Sequence, residues 1–290
     1  MPPATEISQK RPVASLPWTP LLWFGALIVA CHAPVLQALV RQWYNDPDMG
    51  HGFFVPAIAA YIAWQKRGEL LAQPLATNWW GLVIVVYAAL QSYLASLGAE
   101  LFLARTAFVF SVIGAVLFLG GTKVARMLAF PLFLLFFMVP IPAILYNQVT
   151  FPLQLLASRT ATAALSLAQI PVLREGNIME LPNKTLSVVE ACSGIRSLLS
   201  LSFLSLVYGH FFEKRTWVRV ALFLSTIPIA VLANSSRVTI TGILAELKPD
   251  LAEGFFHMLE GWVIFMVALA MLVAFHRILV YGYRVIYGRR

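Results

Sequence analysis

Apolar and polar positions along this chain fall into blocks rather than single alternations. Low-charge apolar runs occupy residues 21–40, 53–64, 79–97, 101–119, 127–146, 193–211, 218–232 and 262–280. The second is short and is expected to begin earlier, near Asp48 or Met49. Most of these runs approach the ~20 residues that an α-helix needs to cross a bilayer. Backbone N–H and C=O groups in lipid must be satisfied within the segment, so the runs are expected to be helices. The period-two alternation of a membrane barrel is absent. The pattern therefore predicts an all-α polytopic membrane bundle of about eight transmembrane helices. A further apolar stretch, 151–170, is interrupted by Arg159, Thr160, Thr162 and Ser166 and is ambiguous on hydropathy alone.

Charge resolves that ambiguity. Lys10 and Arg11, Lys66 and Arg67, Lys123 and Arg126, Lys214, Arg215 and Arg219, and Arg284, Arg289 and Arg290 occupy both termini and alternate connections. The intervening connections carry Asp46 and Asp48, then Glu100, then Glu246, Asp250 and Glu253. The positive-inside rule places both termini in the cytoplasm. It holds only if 151–170 does not cross, so that stretch is expected to be interfacial or re-entrant on the outer side. Residues 171–189 then form a small extracytoplasmic loop, in which Gly176 and Leu181-Pro182 predict a turn or hairpin. Residues 1–17 read as a cytoplasmic tail. The first apolar run lacks a small-residue cleavage pattern and reads as a retained span. No repeat or low-complexity block divides the chain, which is expected to be one membrane domain over 1–290.

Composition narrows the chemistry. Charged residues make up 12% of the chain, half the ~25% of soluble domains. The net charge of +8 comes from short clusters beside apolar runs, the pattern of topology signals and lipid contacts rather than of a nucleic-acid face. Two cysteines, Cys31 and Cys192, rule out a disulfide framework and the common cysteine-rich metal sites. No clusters expected of a metal, haem or nucleotide site occur, so no cofactor is expected.

On the predicted topology, three separate stretches deliver unusual polar groups to the outer face. Glu190-Ala-Cys192-Ser-Gly-Ile-Arg196 opens the sixth span, Asn234-Ser-Ser-Arg237 closes the seventh, and His257 precedes the eighth. A thiol, a guanidinium and an imidazole at one depth support nucleophilic acyl transfer. A thiolate attacks better than a thiol, and a helix N-terminus with nearby cations favours it. His257 is suited to carry a proton near neutral pH, and Arg237 to hold a carbonyl or an oxyanion. Each residue also has a plain structural role open to it: core filler for Cys192, headgroup contact for Arg237, interfacial anchor for His257. Their convergence favours chemistry. Ser193 is the alternative nucleophile, but an oxygen needs a stronger adjacent base. Cys31, His32, His210 and His276 are assigned structural roles.

At these residues the chain resembles the exosortase family of bacterial membrane transpeptidases, which is related to the archaeosortases. The resemblance rests on Ala191-Cys192-Ser193-Gly194-Ile195-Arg196, on Asn234-Ser-Ser-Arg237, and on His257 with Gly261-Trp262. It also rests on His51-Gly52-Phe53-Phe54-Val55-Pro56 with Ala60-Tyr-Ile-Ala-Trp64, and runs from about Trp43 to Phe265. The resemblance implies a cysteine peptidase or transpeptidase of the bacterial inner membrane, linked to protein sorting and exopolysaccharide-associated surface biogenesis. Its substrates would be exported proteins with a C-terminal PEP-CTERM signal: a Pro-Glu-Pro-like motif, a transmembrane helix and a basic tail. Cleavage would pass through a thioacyl-enzyme on Cys192, with Arg237 and His257 at the family's other two catalytic positions. The archaeal relatives carry Arg where this chain has His257. Glu190, Arg196, Asn234 and His51 are the expected substrate-binding or orienting residues, with Arg196 suited to pair with a substrate glutamate. Two other readings stay open at this point. Arg105, Arg159 and the break at Pro140 and Pro142 fit a transporter of polysaccharide intermediates, and a non-catalytic scaffold of an export complex fits the same topology. Oligomeric state is not encoded in any pattern we recognise.

Overall fold

The computed structural model describes residues 18–74, 76–182, 184–187, 194–247 and 255–288. Cα packing divides the chain into two units, 1–140 and 141–290.

In the first unit, α1 (Trp18–Cys31) and α2 (Ala33–Asn45) form a pair bent by 74°. The break falls at His32, just before a proline at the start of α2, which cannot donate back into α1. A 3₁₀ segment, Pro47–Phe53, leads into α3 (Phe54–Gln65), and a short α4 (Arg67–Leu71) follows. The helices α5 (Trp79–Leu97) and α6 (Leu101–Met127) pack most extensively. Each is capped by a side chain. Asn78 accepts the Trp80 N–H at 2.9 Å, and Glu100 accepts the Leu103 N–H at 2.7 Å. They cross at glycines: a Cβ on Gly81 would fall 2.2 Å from the Phe118 nitrogen, and one on Gly114 would fall 2.8 Å from the Gly81 carbonyl oxygen. Small residues let the two backbones touch, the packing mode that replaces hydrophobic driving force in lipid. A short α7 (Ala129–Leu134) and a 3₁₀ turn, Leu135–Met138, end the unit.

In the second unit, α8 (Ala143–Leu167) is followed by three short strands, β1 (Leu173–Glu175), β2 (Ile178–Glu180) and β3 (Thr185–Ser187). They pair antiparallel in the order β1-β2-β3, with Arg174 opposite Met179 and Met179 opposite Leu186. The hairpin expected within 171–189 is therefore present and gains a third strand. Three long helices complete the unit: α9 (Gly194–Phe212), α10 (Thr216–Leu247) and α11 (Phe255–Tyr287).

Two cores share α10. Its first half packs Val218, Leu222, Ile229 and Ala233 with Leu201 of α9 and with Ile264, Ala268 and Leu272 of α11. Its second half packs Val238 with Ala161 and Leu165 of α8 and with Met179, Leu181 and Leu186 of the sheet. The hydropathy pattern ended this helix at residue 232, whereas it continues to Leu247. The hydroxyls that lower its hydropathy are satisfied inside it: Ser235, Ser236 and Thr239 donate to the carbonyls of Val231, Leu232 and Ser235. The stretch 151–170, expected to be interfacial, is likewise part of the uninterrupted α8. Ser158 and Thr160 donate to carbonyls one turn back, so residues that read as breaks are compatible with helix.

Among the described residues, four helices are long and apolar enough to cross a membrane: Trp79–Leu97, Leu101–Met127, Thr216–Leu247 and Trp262–Tyr287. Counting the broken pairs Leu22–Cys31 with Ala33–Asn45 and Ala129–Met138 with Ala143–Leu167 as one span each raises the number to six. The all-α polytopic reading stands, with four to six spans by length and composition among the described residues. The expected elements 127–146 and 151–170 fall on the pair Ala129–Met138 and Ala143–Leu167, which is either a broken span or a re-entrant loop. At 12 residues, α3 covers about 18 Å, short of the ~30 Å hydrocarbon core.

The connection between α9 and α10 is fastened by Glu213, which is 9% exposed. One carboxylate oxygen accepts the backbone N–H groups of Lys214 and Arg215, both at 2.8 Å, and the other lies 3.3 Å from His276 Nε2. Tyr208 Oη joins His276 Nδ1 at 2.9 Å. Burial works against ionisation of Glu213, but the two N–H groups, His276 and the nearby Arg215 charge outweigh it and hold the carboxyl below its usual range. A carboxyl depressed in the folded state stabilises fully above the unfolded value, about pH 4.3. That contribution fades as the pH falls through the lower folded value. Glu213→Gln is expected to cost about 1–3 kcal/mol at neutral pH. Its Tm should also fall less than wild type's when melting curves are taken at successively lower pH below about 5.

Candidate functional site

The second unit carries most of the residues singled out by sequence. Asn234 and Arg237 lie on one side of α10, three residues apart, with Asn234 buried at 9% exposure and Arg237 half-buried. They sit where the α9–α11 core gives way to the α8–sheet core. Beside them Thr160 Oγ1 of α8 donates to Ser235 Oγ, a contact between helices that sequence reading missed. Its only sequence signal was the cluster of hydroxyls that interrupts α8.

Helix register relates the other segments to Arg237. Ser202 of α9 meets Thr226 of α10 at 3.2 Å, and a Cβ on Gly209 would lie 3.5 Å from Arg219 Cγ. These contacts are seven residues apart on each helix and run in opposite directions, so α9 and α10 are antiparallel. Continuing eight residues from the first contact brings Gly194, where α9 begins, level with Asn234. A second register comes from α11. Its Tyr283 ring lies 5.8 Å from Trp217, and its His276 bonds Tyr208. Continued toward the start of α11, the first contact brings Val263 level with Arg237, and the second brings Trp262 level with Gly194. Referred to Arg237, the first register gives Val263 and the second Leu259, four residues or about 6 Å apart along α11. His257 lies in the first turn of α11, two to six residues and so about 3–9 Å beyond the level of Arg237 at 1.5 Å per residue. Meanwhile α8 runs parallel to α10, with Thr160 on Ser235 and Leu165 on Gly242. One end of the unit therefore gathers the start of α9, Asn234 and Arg237, the first turns of α11, and the three-stranded sheet.

Cys192 and Glu190 lie outside the described residues. Arg196 belongs to the first turn of α9 and His257 to that of α11, both placed by backbone alone. The expectation that Arg237 closes its helix is corrected: α10 continues ten residues past it. The other cysteine, Cys31, ends α1 in the first unit and is exposed there.

His51 belongs to the first unit and has a clear local task. Its Nε2–H donates to the Phe137 carbonyl at 3.1 Å, and Trp43 Nε1–H donates to the Met138 carbonyl at 3.0 Å. Both carbonyls belong to the 3₁₀ turn before Pro140, where helical acceptor pairing is lost, so the two rings replace it. Gly52 is required by this clamp, since a Cβ there would lie 2.4 Å from Trp43 Nε1. Gly52→Ala is expected to displace the indole and destabilise the protein by about 1–3 kcal/mol, read as a lower Tm in detergent.

Comparison with protein families decides the identity. The family model described as Transmembrane exosortase (Exosortase_EpsH) matches residues 43–274, most of the chain and parts of both units. The chain belongs to the transmembrane exosortase family. Comparison with curated proteins and with solved structures gave no match. Membership makes this exosortase a membrane cysteine transpeptidase or protease that acts on proteins bearing sorting signals.

Proposed function

We propose that this exosortase cleaves C-terminal PEP-CTERM-type signals at the extracytoplasmic face, with Cys192 as nucleophile, Arg237 as carbonyl and oxyanion partner, and His257 as proton carrier. The observation that supports this most is the α9–α10 register. Gly194 stands level with Asn234, and Cys192 is only two peptide units from Gly194, a reach of about 7 Å. The start of α9 and the Asn234–Arg237 stretch stand at one end of one helical hairpin, which supports pairing the Cys192 thiol with Arg237, and the first turn of α11 lies toward the same end.

The chemistry follows from those groups. The Cys192 sulfur attacks the scissile carbonyl carbon, and the developing oxyanion is held by Arg237 N–H groups. The amide C–N bond breaks as the leaving nitrogen takes a proton from His257, leaving a thioester. An incoming amine, or water, then attacks the thioester as His257 takes its proton, and Cys192 departs as thiolate, restoring the thiolate and protonated His257 that opened the cycle. Arg196 and Asn234 are the proposed holders of the acidic motif, with Glu190 orienting them. His51 is better explained by its bond to Phe137 than by substrate contact.

Topology fits a tailed substrate. From Thr216 to Arg237 α10 rises about 32 Å, close to the ~30 Å hydrocarbon thickness. The basic cluster Lys214, Arg215 and Arg219 lies at one end and Arg237 at the other, so the positive-inside rule assigns Arg237 to the outer surface. A substrate helix with a cytoplasmic basic tail would lie along the bundle and present its motif there. We read residues 1–290 as one exosortase domain in the bacterial inner membrane, since the family match runs across both units.

Co-expression with a tagged protein carrying a PEP-CTERM tail tests the substrate. A size shift that requires this exosortase supports the proposal, and an unshifted substrate in the presence of folded enzyme refutes it. A membrane-impermeant thiol reagent tests the side: Cys192 should react from outside in intact cells, and Cys31 should not.

A further inference from the structure

The opposite end of the same helices holds a cleft of about 520 Å³ that the sorting chemistry does not use. Four cations line it: Lys214 and Arg215 from the connection, and Arg277 and Arg284 from α11. Glu213 is the one carboxylate among the described lining residues; its oxygens are engaged by two backbone N–H groups and His276, and its charge offsets one of the four cations, with Arg215 nearby. The cleft therefore carries an excess of three positive charges, with no acidic side chain left to neutralise them.

Arg215 shows what the cleft is built to hold. Its guanidinium stacks over the Tyr283 ring, 4.1 Å from the centroid, which fixes the plane of the fork. Its Nη1 is buried and has no hydrogen-bond acceptor among the described residues. A buried guanidinium N–H without an acceptor is costly and rare in a finished structure. Stacked, shielded and surrounded by three further cations, it matches the geometry that arginine uses for phosphate oxygens. The location points the same way. Trp217, Tyr281 and Tyr287 are exposed around this end, at 47%, 71% and 62%, as expected of an aromatic belt at a membrane surface. The cleft lies about one bilayer thickness from Arg237 along α10.

We propose that this cleft binds a phosphate ester, seated on the Arg215 fork with Arg277, Arg284 and Lys214 around it. The phosphodiester of an anionic lipid headgroup is the source that the aromatic belt favours, and free phosphate shares the same chemistry. This site does not depend on the proposed catalytic residues, and its test reads binding rather than processing.

The full chain in uncharged detergent is titrated with phosphatidylglycerol, phosphatidylcholine or inorganic phosphate, and retention is read by native mass spectrometry. Phosphatidylglycerol should be retained over phosphatidylcholine. Arg215→Gln and Arg277→Gln should each lower that retention about fivefold or more, while Lys123→Gln in the first unit leaves it unchanged. Saturable inorganic phosphate binding that the arginine variants weaken, without preference between the lipids, assigns the site to free phosphate and keeps it. Equal retention in both arginine variants at unchanged Tm overturns the proposal, as does the absence of any phosphate or phosphatidylglycerol binding. Arg277 is exposed, so Arg277→Gln remains decisive if Arg215→Gln fails to fold.

Discussion

Cys192→Ala should stop conversion of a sorting-signal substrate, with a loss on the order of 10³-fold or more. The expectation follows from what the thiol does. It supplies the new bond to the acyl carbon, so its removal deletes the covalent route rather than weakening a contact. Cys192→Ser is the more informative variant. A serine oxygen keeps the position but needs a base strong enough to take its proton, a greater demand on His257 than a thiol makes. Cells expressing either variant should accumulate full-length substrate, while the variant protein reaches the membrane at the wild-type level. Processing at the wild-type rate by both variants would remove Cys192 from the chemistry and bring Ser193 or a non-catalytic role forward. An intact-mass search for an acyl adduct separates those outcomes, because only a thioester is cleaved by hydroxylamine at neutral pH.

Arg237→Gln should lower turnover by about 10²–10³-fold, the usual loss on deleting one oxyanion donor. The more discriminating change is Arg237→Lys. Lysine keeps the charge but loses the planar fork, and Arg237 sits half-buried on a helix shared by two cores, where a displaced head group has little room to readjust. If the guanidinium grips a carbonyl through two N–H groups, Arg237→Lys should retain only a small part of wild-type turnover. If it contributes charge alone, lysine should restore most of what glutamine loses. Measuring kcat and KM for both variants places the loss in turnover rather than binding when the contact forms in the transition state. Full activity in Arg237→Gln would contradict the proposed role.

The contrast between the two long helices shows what the sequence made legible. The ends of α5 match the apolar run 79–97, and the structure shows why they are sharp: Asn78 is a side-chain N-cap and Gly98 follows the last helical residue. Glu100 marks the start of α6 in the same way. The far half of α10 was invisible to hydropathy, because Asn234, Ser235, Ser236 and Thr239 lower the average while their hydroxyls bond back to the helix. The same effect hid the continuity of α8. For the site, the residue types and their spacing were legible, and the charge pattern supplied the expectation that they share one face. Their mutual level was not legible. It depends on which small polar residues meet across α9 and α10, Ser202 on Thr226 and Gly209 beside Arg219, a choice of packing that no local pattern announces. Likewise His276 was assigned a structural role from its position alone. Its partners, Glu213 and Tyr208, come from a neighbouring connection and helix and appear only when the three pack together. At His51 the sequence left entrance-lining and packing open, and the bond to the Phe137 carbonyl favours packing.

Everything in the catalytic reading requires that Cys192 and residue 237 share one end of the α9–α10 hairpin. In a Cys31→Ser background, Arg237→Cys introduces a second thiol at the end of α10 level with the start of α9, and Arg219→Cys introduces it at the other end. A short bifunctional thiol cross-linker, followed by digestion and mass spectrometry, should join positions 192 and 237 and leave 192 and 219 unlinked. Efficient linkage of 192 to 219, with none to 237, would contradict the account.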